Sequence, residues 1–329
     1  MPGRGARSSD NMYLHLSIAQ LTVLWPLVVG AGFAVGLLSG LFGVGGGFLI
    51  SPILMFIGIP TEVAISSGAN QSVATSASAA MAQWRLGNVD LRMSMLLLAG
   101  GTVGSLSGVQ VVAALRTIGQ IELVISLAYA FLLGSLGSLM AIEGINALRA
   151  ARKEGGGERR RRRQHYAWVH GLPWKMRFPR SKLYMSVVPP IVLGFIVGNL
   201  GAIMGVGGGF LLVPAMVYIL KMPTQVVVGT SLIQVSIVSA FTTFLHANNL
   251  QTVDIELAML LIVGGVIGAQ WGSLMSTRIK AEQLRALLGL LVLLVGFRFV
   301  LLVLLVGFRF VLLLLMEPAD VYSLSAPRR

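Results

Sequence analysis

Apolar stretches separated by short polar connections fill most of the chain. They run at roughly 18–41, 48–59, 64–84, 93–112 and 118–148, then at 186–204, 210–220, 226–245, 255–275 and from 284 onward. Many approach the roughly 20 residues that an apolar helix needs to cross a bilayer. The two shortest each follow a glycine cluster: Gly40-Leu41-Phe42-Gly43-Val44-Gly45-Gly46-Gly47-Phe48-Leu49 recurs as Ala202-Ile203-Met204-Gly205-Val206-Gly207-Gly208-Gly209-Phe210-Leu211. Backbone that leaves the helix at membrane depth is tolerated only where it is buried in protein or lines a polar cavity. Each cluster therefore marks a candidate binding site in an all-α polytopic membrane protein, with about five helical segments in each half and broken helices at the glycine motifs.

The halves align beyond the glycines. Pro60-Thr61 matches Pro223-Thr224, Gln71 matches Gln234, Ser76 matches Ser239, and Val89-Asp90 matches Val253-Asp254. The chain divides into an N-terminal tail (1–17), a first membrane repeat (18–148), a basic linker (149–185), a second repeat (186–316) and a C-terminal tail (317–329). Five spans per half would turn the second half upside down, the inverted repeat found in many secondary transporters. With the linker cytoplasmic, that count puts Arg85, Arg92, Lys221, Arg278, Lys280 and Arg285 inside as well. Arg4 and Arg7 fit better if each short segment is re-entrant and each half has four true spans. Ten spans is the preferred reading.

Composition narrows the class. The chain is 55% hydrophobic and 11% charged, with a mean hydropathy of +0.83, as expected of a polytopic membrane protein. The net charge of +13 resembles a nucleic-acid signature. Between Arg149 and Lys182, however, twelve Lys and Arg stand against Glu154 and Glu158, so this one segment carries +10. A basic loop between helices is the ordinary mark of cytoplasmic exposure, with membrane lipid as a further partner and nucleic acid not expected. The chain has no cysteine, and its four histidines, His15, His165, His170 and His246, show no ligand spacing. The first apolar run lacks a clear cleavage site and is read as a retained helix. Near the C-terminus, residues 290–300 are repeated at once as 301–311. The repeat extends the last helix by roughly 16 Å, puts Arg298 and Arg309 on one face, and places one arginine at a membrane edge.

The glycines fall into two kinds. Gly32/Gly36/Gly40, Gly100/Gly104/Gly108, Gly194/Gly198 and Gly264/Gly268/Gly272 keep one helix face small, so neighbouring backbones can approach closely. Gly43, Gly45, Gly46 and Gly47, with Gly205, Gly207, Gly208 and Gly209, unwind the chain before a new helix whose free N–H groups and positive dipole end suit an anion. A tight turn without a ligand is the plainer alternative. The following segments are polar for membrane spans, and Asn70, Gln71, Ser231 and Gln234 are placed to complete a hydrogen-bonding shell or to join helices. No nucleotide fingerprint follows either glycine run, and no nucleophile-base or metal motif is present. No catalytic residue, metal or cofactor is therefore expected, and the chain is read as a non-enzyme. Glu62, Asp90 and Asp254 fall at predicted helix ends, and no pair or chain of acids suggests a proton relay.

The paired Gly-Leu-Phe-Gly-Val-Gly-Gly-Gly-Phe-Leu-like units, with Pro52 and Pro214, Pro-Thr-x-Val and a Ser/Thr-rich helix, resemble the sulfite exporter TauE/SafE family over about 30–296, apart from the linker. The resemblance implies an inner-membrane transporter of a small inorganic or organosulfur anion, such as sulfite or a sulfonate. Internal symmetry adds alternating access as the expected mechanism. A non-transporting sensor or assembly factor acting through the linker is the alternative function, and homo-oligomerisation stays open.

Overall fold

A computed structural model describes residues 13–16, 18, 21–119, 121, 124–135, 137–138, 142, 175–181, 183–249, 252–276, 290, 293–298 and 301. The arginine-rich centre of the linker, Arg309 and both terminal tails beyond these limits lie outside the described residues.

A hairpin of strands β1 (Tyr13–His15) and β2 (Thr22–Leu24) leads into helices α1 (Trp25–Phe42), α2 (Gly47–Ile57), α3 (Thr61–Arg85), α4 (Leu91–Ile118) and α5 (Val124–Ser135). A second hairpin, β3 (Lys175–Phe178) and β4 (Leu183–Ser186), leads into α6 (Val188–Met204), α7 (Gly209–Tyr218), α8 (Thr224–Asn249) and α9 (Ile255–Ser276). The protein is predominantly helical, as its pattern predicts. The two hairpins occupy equivalent places ahead of the halves, and their strands of three or four residues are too short to show a period-two signal.

Local chemistry sets the helix limits. Proline occupies the first turn of both α1 and α6, where a missing N–H costs nothing. Both helices end on a left-handed glycine, Gly43 at φ 71° and Gly205 at φ 66°. Asp90 caps α4 by accepting from Met93 N at 3.4 Å, and Asp254 accepts from Leu257 N at 3.2 Å at the start of α9.

Four helices, α1, α4, α8 and α9, are long and apolar enough to cross a membrane. α3 has the length, at 25 residues, but is rich in Ser, Thr, Asn and Gln because it is an interior helix. It lies antiparallel to α8: Ser66 Oγ reaches Thr252 O just beyond the end of α8, and Thr230 Oγ1 accepts from Asp90 N just beyond the end of α3. Ser236 Oγ joins Val73 O near the middle. Several hydroxyls turn back onto their own helix, such as Ser66 to Glu62 O and Thr75 to Gln71 O, so the polar positions do not expose donors to lipid.

The two halves interlock. α1 of the first half runs parallel to α9 of the second, and α4 runs parallel to α6. A side chain at Gly36 would collide with the Gly265 carbonyl, and one at Gly268 with the Phe33 carbonyl. Across α4 and α6, Gly104 lies against the Phe195 carbonyl and Gly198 against that of Gly101. The four-residue glycine spacing thus serves close packing between halves.

The chain enters α1 and leaves α2 at one end of the molecule, where Ile18, Gly58, Ile59 and Thr252 line a common cavity. The other hairpin lies at the opposite end: Ser181 N and Oγ donate to Asp90 Oδ2 at 3.1 and 2.7 Å, and Arg92 Nη1 donates to Arg177 O. Near the C-terminus, Gly296 packs on Leu133 and Gly134, and Arg298 sits 5.1 Å over the Phe56 ring.

Gly30 and Gly36 separate helix propensity from packing. A side chain at Gly30 meets nothing, so Gly30→Ala should stabilise the purified protein by about 0.5–1 kcal/mol. Gly36→Ala should destabilise it by about 1–3 kcal/mol, because α1 and α9 must separate. Denaturation in detergent would show this opposite pair of shifts, and shifts of the same sign would refute the packing assignment.

Candidate functional site

The two glycine turns meet in the interior. α2 and α7 have only 11 and 10 residues, about 16 and 15 Å, and both start at this meeting point. The Phe48 and Phe210 rings that open them stack at 5.9 Å with an interplanar angle of 13°. Gly47 abuts the Gly205 carbonyl and Gly209 abuts the Val44 carbonyl, so neither turn could close with a side chain there.

Side chains tie down the broken backbone. Gly47 N donates to Ser72 Oγ at 2.5 Å, and Ser51 Oγ donates to Gly205 O at 3.4 Å. Ser231 Oγ donates to Gly43 O at 2.8 Å, and Tyr129 Oη to Met204 O at 2.5 Å. A His246 ring nitrogen lies 3.3 Å from Ala202 O. Carbonyls released where α1 and α6 end are thereby met inside the protein.

A second set of polar atoms is buried with no protein partner: Ser67 Oγ, Gln71 Oε1, Ser76 Oγ, both amide atoms of Gln234, Ser239 Oγ and Thr242 Oγ1. Several of them face the turns. A Cβ on Gly46 would lie 3.5 Å from Gln71 Oε1 and 3.0 Å from Thr75 Oγ1, and one on Gly45 would lie 3.2 Å from Ser76 Oγ. Ser239 Oγ stands against Gly207, and Val235 touches both Gly45 and Gly207. Leaving such an atom buried and unpaired costs about 1–3 kcal/mol. Their concentration beside two helix N-termini is the arrangement of a polar ligand site.

The turns are not equivalent. Gly46 has φ −69° and faces Gln71 and Thr75, whereas Gly208 has φ 79° and packs on Val197 and Gly201. Gln234 Nε2 lies beside Gly101 of α4. Gln71 Nε2 reaches Gly32 O at 3.3 Å, which leaves its Oε1 toward Gly46.

A family profile described as sulfite exporter TauE/SafE matches residues 28–299, which takes in both turns and both interlocked helix pairs. The chain belongs to the sulfite exporter TauE/SafE family. It is a multi-pass membrane transporter protein. It is 30% identical over 274 residues to a probable membrane transporter protein of Xylella fastidiosa, covering 82% of this chain and 92% of the relative. A probable membrane transporter protein of Methanocaldococcus jannaschii, MJ0441, is 26% identical over 298 residues, 86% of this chain and 97% of the relative. The Bacillus subtilis probable membrane transporter protein YjnA is 25% identical over 274 residues, 83% and 98% of the two chains. No solved structure matches.

Within this family member, the residues singled out by sequence divide into two groups. Gly45, Gly46, Gly47, Gly207, Gly208 and Gly209 lie at the central turns, and Gln71 and Gln234 carry unpaired buried atoms. Gly43 and Gly205 act as left-handed helix stops, Ser231 is bonded to Gly43 O, and Asn70 is only partly buried. Ser76 and Ser239 stand beside the turns although sequence reasoning placed neither in the shell; their repeat match was the available signal. The Phe48–Phe210 stack and the Tyr129 tie had no such signal, since each depends on the packing of distant elements. Among the described residues, no group of three or more His, Asp or Glu gathers as a metal site.

Ser231 and Ser76 should respond oppositely in ligand-free protein. Ser231→Ala removes a buried bond and should lower stability by about 1 kcal/mol. Ser76→Ala removes an unpaired hydroxyl and should leave stability unchanged or raise it. Thermal unfolding of both variants beside the parent checks the distinction.

Proposed function

We propose that the protein is a secondary transporter that carries a small oxyanion, with sulfite, sulfonates and related organosulfur acids as the substrate class. The observation that carries this reading is the set of unpaired buried groups, Gln71, Ser76 and Ser239, beside glycine turns that open α2 and α7. Sulfur oxyanions present several acceptor oxygens and negative charge. Backbone N–H groups, side-chain amides and hydroxyls at a positive helix end meet both demands without a buried cation.

The anion sits on the first-half turn, against Gly45, Gly46 and Gly47, with Gln71 and Ser76. Ser239, Gln234 and the second turn at Gly205, Gly207, Gly208 and Gly209 close the site from the other half. Gly43 and Ser231 hold the frame, and Asn70 lies at its margin.

The halves stand in opposite orientations across the membrane, with the basic linker cytoplasmic. This reading is supported by the opposite placement of the two hairpins and by the matched pairings of α1 with α9 and α4 with α6. Because those pairs join the halves, the moving bodies in alternating access are the pairs themselves, sliding over α3 and α8.

The test is sulfite uptake into proteoliposomes. Gly46→Ala keeps an allowed backbone, at φ −69°, and projects a methyl group into the site. It and Gln71→Ala should raise the half-saturating sulfite concentration by about tenfold or more, whereas Gly30→Ala should not. Parental uptake by folded Gly46→Ala and Gln71→Ala proteins would sink the assignment.

A further inference from the structure

The end of the molecule that carries the β3–β4 hairpin sets exposed arginines against very little acid. Arg85 closes α3, Arg92 stands in the first turn of α4, and Arg177 and Arg180 belong to the hairpin; all are exposed. The bonds that fix the hairpin also bring these side chains together. Arg92 Nη1 donates to the Arg177 carbonyl at 3.2 Å, and Ser181 donates from both N and Oγ to Asp90 Oδ2. Arg180 Nη1 lies 3.4 Å from the place a Cβ on Gly87 would take, just past Arg85. The α3–α4 connection and the hairpin thus present one surface.

Its charge is strongly one-sided. Of the described acids only Asp90 lies at this end, and its buried carboxylate accepts from Met93 N and from Ser181. Among the described residues, none of these arginine side chains is in an ion pair. The opposite end has mixed signs: Arg116 and Arg298 stand with Glu62, Asp254 and Glu256. The hairpin also closes the segment between Arg149 and Lys182 that carries +10, so the bias continues along the sequence.

Exposed apolar side chains set the depth of this surface. Trp84 and Leu86 flank Arg85, Leu91 and Met95 follow on α4, and Met176 and Tyr184 lie on the two strands. Trp84 is 52% and Tyr184 53% exposed. Tryptophan and tyrosine at the ends of apolar helices settle at the headgroup level of a bilayer, and arginines beside them extend toward the phosphates. The guanidinium fork matches phosphate oxygens in pairs. Nucleic acid fits less well, because the arginines are interleaved with exposed Leu86, Leu91 and Met95.

We propose that this surface docks the phosphate headgroups of anionic lipid, in the leaflet on the linker's side of the membrane. Arg85, Arg177 and Arg180 make the contacts, and Arg92 positions the hairpin through the Arg177 carbonyl. The proposal does not depend on which anion is carried.

The experiment titrates the thermal stability of the purified full chain in neutral detergent with phosphatidylglycerol, phosphatidylcholine and inorganic phosphate. Phosphatidylglycerol should stabilise by mass action, well beyond phosphatidylcholine, and its effect should weaken as salt rises. Arg177→Gln combined with Arg180→Gln should raise the half-saturating phosphatidylglycerol concentration about tenfold or more. Replacing both by Lys, which keeps the charge, should leave it within about threefold of the parent. The Arg92 bond survives in either pair because it uses the Arg177 carbonyl. Should the glutamine pair fold poorly, Arg85→Gln is the second variant and should raise the same concentration about threefold or more. An equal response to the two lipids, or a phosphatidylglycerol response unchanged in the glutamine variants, overturns the lipid surface. Inorganic phosphate that matches phosphatidylglycerol and fails in the same variants overturns it in favour of a free-anion site.

Discussion

A backbone that breaks its helix inside a bilayer must find every lost hydrogen bond within the protein, and this fold breaks twice, between α1 and α2 and between α6 and α7. Ser72, Ser51, Ser231 and Tyr129 each come from another element to serve those breaks. This need explains why α3 and α8, which hold two of these serines, are rich in polar residues yet lie in the interior. A few buried groups, Gln71, Ser76 and Ser239 among them, remain after the backbone has been met. That remainder is the set of groups that the proposed anion site would use.

Interlocking keeps the breaks in place. α1 is held less by its own half than by α9 of the other, and α4 is likewise held by α6. Glycines at Gly36, Gly265, Gly104 and Gly198 let these helices meet backbone to backbone. α3 and α8 pack on each other, with α3 also against the α1–α9 pair and α8 against α4. The caps Asp90 and Asp254 extend the same logic to the surfaces: each starts a helix and also fastens the hairpin that precedes one half. Two matched frames thus surround two unequal turns.

Much of this was legible in the chain because periodicity and repetition are local signals. The apolar runs gave the helices, the glycine clusters marked the breaks, and four-residue spacing marked the packing faces. Gln71 and Gln234, which match between the halves, both carry buried amide atoms without a partner: Oε1 of the first and both atoms of the second. Other features depend on which elements meet. Ser231 looks from its neighbours like a ligand group, and only the approach of Gly43 O commits its hydroxyl. The two turns read almost identically, yet Gly46 faces Gln71 while Gly208 faces Val197, a difference in φ that no residue pattern records. The hairpins were hidden by their brevity.

The most direct test of the central account is an experimental structure of the detergent-solubilised protein with selenite, a heavier oxyanion of the same shape class as sulfite, located by its anomalous signal. The account predicts a selenium peak beside Gly45 and Gly46, within hydrogen-bonding reach of Gln71 and Ser76. A saturated protein with those groups still unpaired, and selenium bound elsewhere or nowhere, would contradict it.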